Sequence, residues 1–283
     1  MAERVVIVTD STAYLPTGLD VELGITVVPL HVVVNGRAGT EGVDVSPADV
    51  AQALAERRGT VSTSRPSPAD FAATYHALLA DGADGIVSVH LSSELSGTWD
   101  AARLAAAGCE PEAVRVVDSR TTAMGLGFAV LAAAEAAEAG TGLPEVERIA
   151  EQTVDRTTTL FYVDTLEYLR RGGRIGAAQK WLGTALAVKP ILHVVAGRIV
   201  PLEKVRTAGK ALARLEELAV SAAGDAEVDV AVQHLAAADR AAGLADRLRA
   251  GLPGLHRLYD SEVGAVVGAH AGPGLIGVVV VRR

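Results

Sequence analysis

Four hydroxyl residues crowd one short segment, His90-Leu-Ser-Ser-Glu-Leu-Ser-Gly-Thr-Trp-Asp100: Ser92, Ser93, Ser96 and Thr98. Hydroxyls hold anions by donating hydrogen bonds, and Gly97 among them lets a ligand approach the backbone closely. The flanks say where this segment sits. Gly85-Ile-Val-Ser-Val-His-Leu91 is apolar and β-branched, which predicts a short buried strand, and Trp99 onward carries the Ala and Leu of a helix. A strand-to-helix join gathers free backbone N–H groups and the positive end of the helix dipole, a setting that favours a carboxylate or phosphate. The alternative is that one serine caps the helix and nothing binds.

Other residues able to do chemistry are scattered along the chain. Val61-Ser-Thr-Ser-Arg-Pro-Ser67 reads as a polar loop with four hydroxyl residues, among them Thr63 and Ser64. His270-Ala-Gly-Pro-Gly274 predicts a tight turn just before the last strand, with the imidazole at the bend; a structural histidine is the alternative. Ser96 and His270 would make a nucleophile and base, but nothing marks a third member, and no G-x-S-x-G elbow occurs. Neither a G-x-x-x-x-G-K-[ST] phosphate loop nor a G-x-G-x-x-G fingerprint after the first strand is present. Arg170, Arg171 and Arg174 form either an anion site or a solvated helix end favourable to the dipole. Asp-Ser recurs at 10–11, 118–119 and 260–261, read first as capping after a strand and alternatively as facing one ligand crevice. The single Cys109 excludes an internal disulfide and any sulfur-ligated metal cluster, so no metal site is expected, and it reads as an inert half-buried thiol.

The elements that must position these residues follow from pattern. Arg4-Val-Val-Ile-Val-Thr9 is a first strand. Ser46-Pro-Ala-Asp49 and Ser67-Pro-Ala-Asp70 start helices in the same way, with Ser at N-cap, Pro at N1 and Asp in the first turn. Strands alternating with helices of about ten or more residues imply parallel β-α-β units in the first half. Beyond Gly140-Thr-Gly-Leu-Pro144 the texture changes, and a hairpin about Ala196-Gly197 mixed with helices implies a second α/β domain with a mixed sheet. The boundary is placed near 155–160, dividing 1–157 from 158–283. A chain of 283 residues with 49% hydrophobic and 21% charged residues supports sizeable cores, filled by Ala, Val and Leu because aromatics are only 4%. The net charge of −8 argues against nucleic acid and anionic membranes as partners. No window reaches about 18 unbroken apolar residues, and no signal region precedes the first strand, so a cytoplasmic protein is expected.

Read in order, eight segments carry a resemblance. They are Val8-Thr-Asp-Ser-Thr-Ala13, Thr63-Ser-Arg-Pro-Ser67, His90-Leu-Ser-Ser-Glu-Leu-Ser-Gly-Thr98, Val117-Asp-Ser119, Tyr168-Leu-Arg-Arg-Gly-Gly-Arg-Ile175, Lys189-Pro190, Val205-Arg-Thr207 and His270-Ala-Gly-Pro-Gly274. Each is weak alone; the ordered set resembles the DegV family over nearly the whole chain. Arg65 stands where the family often has Gln, and Glu94 where a Gly is common; Glu94 is expected to point to solvent. The resemblance implies an N-terminal Rossmann-like parallel-sheet domain and a C-terminal mixed α/β domain. It also implies a long-chain fatty acid such as palmitate, stearate or oleate buried between them, with no covalent cofactor. It further implies a non-catalytic, acyl-carrying subunit of a two-component fatty acid kinase, whose ATP-holding partner converts the bound acid to an acyl phosphate. Membrane contact would be transient, for lipid exchange. Carried over by position, Thr63, Ser64, Ser93, Ser96, Gly97 and His270 would hold the carboxylate, and Arg206 with Arg174 would dock the kinase. Two other functions stay open: an acyl hydrolase using Ser96 and His270, and a passive lipid carrier or sensor.

Overall fold

The computed structural model describes residues 3–56, 58–181 and 189–283. Its strands are β1 (Val5–Asp10), β2 (Thr26–Val28), β3 (His31–Val34), β4 (Arg37–Thr40), β5 (Val61–Ser64), β6 (Gly85–His90) and β7 (Val114–Asp118), then β8 (Thr157–Tyr162), β9 (Lys189–Val195), β10 (Arg198–Val205), β11 (Val228–His234), β12 (Leu255–Glu262) and β13 (Ile276–Arg282). Its helices are α1 (Leu19–Glu22), α2 (Pro47–Ala55), α3 (Pro68–Ala80), α4 (Thr98–Ala106) and α5 (Met124–Glu138), then α6 (Leu143–Asp155), α7 (Glu167–Arg171), α8 (Ala208–Ala223), α9 (Ala238–Gly251) and α10 (Ala265–Ala271). They gather into two compact units. The first takes the chain up to His31 with Ser64–Asp155; the second takes Val32–Thr63 with Arg156–Arg283.

The first unit holds a parallel sheet in the order β2-β1-β6-β7. All six residues of β6 are buried, as a central parallel strand covered on both faces requires. Neighbouring residues show the two covers. A side chain at Gly85 would meet Leu143 of α6, whereas Ile86 packs with Phe71 and Tyr75 of α3 and Ala101, Ala102 and Ala105 of α4. The repeated Ser-Pro-Ala-Asp signal folds alike at both sites. Ser46 and Ser67 each accept from the N–H three residues on at 3.2 Å, and Asp49 and Asp70 each accept from the serine N–H at 2.8 Å, closing two capping boxes.

The second unit holds a mixed sheet in the order β10-β9-β8-β13-β11-β12, antiparallel except for the parallel β11–β12 pair. Ala196 and Gly197, both with positive φ (46° and 81°), turn the expected β9–β10 hairpin. Helices α8 and α9 seal the sheet with stripes at helical spacing, Ala211, Leu215 and Ala219 on one and Ala241, Leu244, Ala245 and Leu248 on the other. This is the α/β, parallel-then-mixed fold class read from the sequence.

Four features differ from the linear reading. Residues 61–64 form β5, one edge of a small sheet ordered β4-β3-β5, rather than part of a loop. Residues 32–63, with this sheet and α2, belong with the second unit, which a single cut at 157/158 leaves out. The reason is long-range: the Glu41 carboxylate, 5% exposed, accepts the Val266 N–H at 2.7 Å, and α2 packs against α10 through Val50 and Gly268. His270 sits in the last turn of α10, not on a bare bend. Asp260 and Ser261 lie inside β12 and cap nothing; Ser261 Oγ accepts from Gln233 Nε2 at 3.1 Å. Among the described residues, no helix is long and apolar enough to cross a membrane.

Candidate functional site

Three short elements of the second unit converge on one histidine. Helix α10 has no N-cap side chain of its own, and the Glu41 carboxylate takes its orphan Val266 N–H instead. The helix ends at Gly272, whose φ of +80° few side chains tolerate and whose missing Cβ leaves room for the Tyr168 ring of α7. This ending directs His270 toward β5, where its Nε2 lies 2.8 Å from Thr63 Oγ1. Strand alternation leaves Thr63 half-buried and its neighbours Ser62 and Ser64 exposed. Gly172, just after α7, backs the other edge of the ring: a Cβ there would fall 2.0 Å from His270 Nδ1.

Beside this pair opens a cavity of about 330 Å³ whose polar wall includes Thr60, Thr63, Tyr168, Arg171, Arg174 and His270. Burial, helped by the Arg174 charge, pushes His270 down to about 4, so the imidazole is neutral near pH 7. The basic groups are steered individually. Arg174 donates to the Gly172 carbonyl at 2.5 Å. Arg171 and Arg170 both pair with Glu167, at 2.9 Å and 2.6 Å, and the Arg170 hydrogen bonds in particular drive the Glu167 carboxyl down to about 2. Hydroxyls, a neutral imidazole and a partly compensated cationic rim suit an oxygen anion.

The hydroxyl-rich turn lies in the first unit, and most of its groups serve the turn itself. Ser93 donates to Asp118 Oδ2 at 2.6 Å, and Ser92 Oγ accepts the Glu94 N–H at 3.2 Å. Ser96 Oγ lies 2.9 Å from Thr98 Oγ1 and accepts the Thr98 N–H at 3.3 Å, a local turn ahead of α4. The N-cap of α4 is Gly97, with no side-chain capping bond, so serine does not cap this helix. The space over Gly97 is filled by Arg65, whose guanidinium donates to the Gly97 carbonyl at 3.2 Å and stands where a Cβ would be. Ser64 and Glu94 are exposed, the latter as expected. Thr63 and His270 are therefore brought together in the second unit, while Ser64, Ser93, Ser96 and Gly97 belong to the first. Arg174 lies in the cavity wall, and Arg206 is exposed next to Thr207, the N-cap of α8. Cys109 is half-buried, and burial pushes its thiol up, away from the reactive thiolate.

One constellation escaped the sequence reading. In the core of the first unit His90 Nδ1 donates to Asp10 Oδ2 at 3.0 Å and its Nε2 meets Ser88 Oγ at 2.7 Å, with the Tyr75 hydroxyl 2.8 Å further on. Asp10 also accepts the Leu91 N–H at 3.0 Å and the Thr12 hydroxyl at 2.6 Å. The residue types mimic a nucleophile–base–acid triad, but Asp10, Ser88, His90 and Tyr75 are all fully buried, so the network ties strand ends and starts the turn at Leu91. Its only sequence signal is the spacing of Ser88 and His90, which puts both on one face of β6.

Comparison with known proteins assigns the chain. The DegV family, described as uncharacterised proteins, matches residues 4–283. A DegV domain-containing protein of Streptomyces coelicolor is 61% identical over 283 residues, the full length of both chains. A Thermus thermophilus DegV family protein described as fatty acid binding shares 36% identity at a TM-score of 0.94, covering 99% of this chain and 100% of its own. DegV of Bacillus subtilis, described as a fatty acid binding protein, shares 32% identity at a TM-score of 0.89, with coverage of 99% and 100%. The chain belongs to the DegV family.

Proposed function

We propose that this protein binds a long-chain fatty acid and that Thr63, backed by His270, holds its carboxylate. The observation that carries it is the whole-chain likeness to the fatty-acid-binding Thermus thermophilus protein, TM-score 0.94 at 36% identity. The chemistry of the Thr63–His270 pair agrees: a carboxylate is held by hydrogen-bond donors, and the charges nearby, Arg171 and Arg174, are already engaged by protein groups. The tail supplies most of the affinity. Burying about 15 methylenes contributes up to about 12 kcal/mol at about 0.8 per CH₂, before association costs. Donors to the carboxylate set head-group selectivity on top of that. Ser64 and Ser96 remain candidates for further donors; Ser93 commits its proton to Asp118 and Gly97 lies under Arg65, which gives both a part in shaping the turn.

The finer function rests on the resemblance to the DegV family, with which the chemistry is consistent. The carboxylate itself is the nucleophile toward a γ-phosphate supplied by an ATP-dependent kinase, and this chain contributes positioning and no catalytic group. Arg206 is the docking residue in this scheme. The protein works in the cytoplasm and meets membranes only to exchange lipid. Mass spectrometry of an organic extract from the purified, denatured protein tests the first claim. A stoichiometric free fatty acid is expected; an empty protein that also refuses palmitate contradicts it. With kinase supplied, Thr63→Val lowers acyl-phosphate formation, and Arg206→Ala lowers it with lipid still bound; unchanged turnover in either removes that residue from the scheme.

A further inference from the structure

We infer that Gly172 locks His270 as its Nε2–H tautomer, so that the imidazole donates to Thr63 and turns the Thr63 hydroxyl proton toward a ligand acceptor. A neutral imidazole has one N–H and one lone pair, and the partners of its two nitrogens decide which is which. His270 Nδ1 is buried and has no hydrogen-bond partner among the described residues. Its surroundings are filled by the Gly172 backbone: a Cβ built on that residue lands 2.0 Å from Nδ1. The Cα–H of glycine stands in the same direction, so it points at Nδ1. A lone pair accepts such a contact as a weak hydrogen bond, whereas an N–H would place hydrogen against hydrogen. The same contact leaves no space for a water. The proton is therefore on Nε2.

The consequence passes through the 2.8 Å contact with Thr63 Oγ1. Nε2–H is the donor there and Oγ1 the acceptor. The Thr63 proton has no other protein acceptor described, and Thr63 lines the cavity. It is presented as a donor in advance, without a charged group at the contact. Burial and the Arg174 charge keep the ring from taking a second proton near pH 7. His270 is thus a positioning residue acting through Thr63, and Gly172 is the residue that sets its tautomer. Only the identity of the acceptor, a carboxylate oxygen, rests on the fatty-acid proposal.

Long-range ¹H–¹⁵N correlation spectra of the ¹⁵N-labelled, delipidated full chain at pH 7 test the tautomer directly, with the His270 signals assigned by their loss in His270→Gln. A lone-pair shift at Nδ1 and an N–H shift at Nε2 are expected; the reverse assignment overturns the inference whatever the ligand. Palmitate affinity tests the consequence. His270→Gln, which offers an amide N–H at the Nε2 position, retains binding within a few-fold, and His270→Asn, which reaches only the Nδ1 position, loses about 10-fold or more. Equal affinities for the two variants overturn the role assigned to Nε2–H. Failure of the wild-type protein to bind palmitate refutes the fatty-acid proposal instead, leaving the spectrum to judge the tautomer.

Discussion

His90 and His270 show how one side chain sits in a closed, fully buried network in one unit and in an open one beside a cavity in the other. Both nitrogens of His90 are taken by protein, Nδ1 by Asp10 and Nε2 by Ser88, and no atom of the network is exposed. The contacts run from Tyr75 through Ser88 and His90 and end on the Asp10 carboxylate, all inside the protein. Burial pushes the Tyr75 phenol far above its ordinary range, so it keeps its proton. His270 has one nitrogen against a glycine and one against a threonine that faces a cavity. A network that ends in a hydroxyl with a proton to give is unfinished, and in the function proposed above the ligand carboxylate finishes it.

Breaking the closed network has the largest expected effect. His90→Ala leaves the buried Asp10 and Ser88 without their shared partner, and a loss of about 3 kcal/mol or more is expected in chemical denaturation. Palmitate affinity of the folded fraction stays within a few-fold of wild type. If His90→Ala costs under about 1 kcal/mol, the two histidines do not differ as described.

Acid titration gives the next effect, confined to the open network. His270 in the folded protein is pushed down to about 4 from an ordinary value near 6.5, so the unfolded chain takes up the proton first. The stability that comes from keeping the ring neutral is fully present above pH 6.5 and is lost as pH falls toward 4. The loss is on the order of 3 kcal/mol, at about 1.4 kcal/mol per pKa unit. In His270→Gln this part of the acid decline disappears, measured as the slope of unfolding free energy against pH; an unchanged slope contradicts burial as the cause.

The smallest effect calibrates the two units against each other. Ser46 caps α2 in the second unit and Ser67 caps α3 in the first, in identical tetrapeptides with identical geometry. Ser46→Ala and Ser67→Ala should each cost about 1 kcal/mol. Unequal losses in denaturation would show that one helix is held mainly by its packing.

Local signals were legible, and returns of the chain were not. The two Ser-Pro-Ala-Asp starts, the Ala196-Gly197 hairpin and the buried β6 follow from residue type and period, because cap, turn and burial are decided within a few residues. The β4-β3-β5 sheet and α10 depend on partners far along the chain. Val263-Gly-Ala-Val-Val-Gly-Ala-His270 has two glycines and no cap of its own, so propensity argues against the helix that Glu41 and Val50 nevertheless support. Thr63 and His270 were readable as candidates from their motifs, but their contact crosses 207 residues. Gly172 was visible only as part of Arg-Arg-Gly-Gly-Arg; that its missing side chain makes room for an imidazole is a tertiary fact.

Isothermal titration of delipidated wild-type, Thr63→Ser and Thr63→Val protein with palmitate tests the assignment of the carboxylate to Thr63 most directly. Thr63→Ser keeps the hydroxyl and should bind within a few-fold of wild type. Thr63→Val keeps the shape without the proton, and loss of one charge-assisted hydrogen bond should weaken binding by roughly 10- to 100-fold. Equal affinity for all three proteins would contradict it, and the carboxylate would have to be held elsewhere.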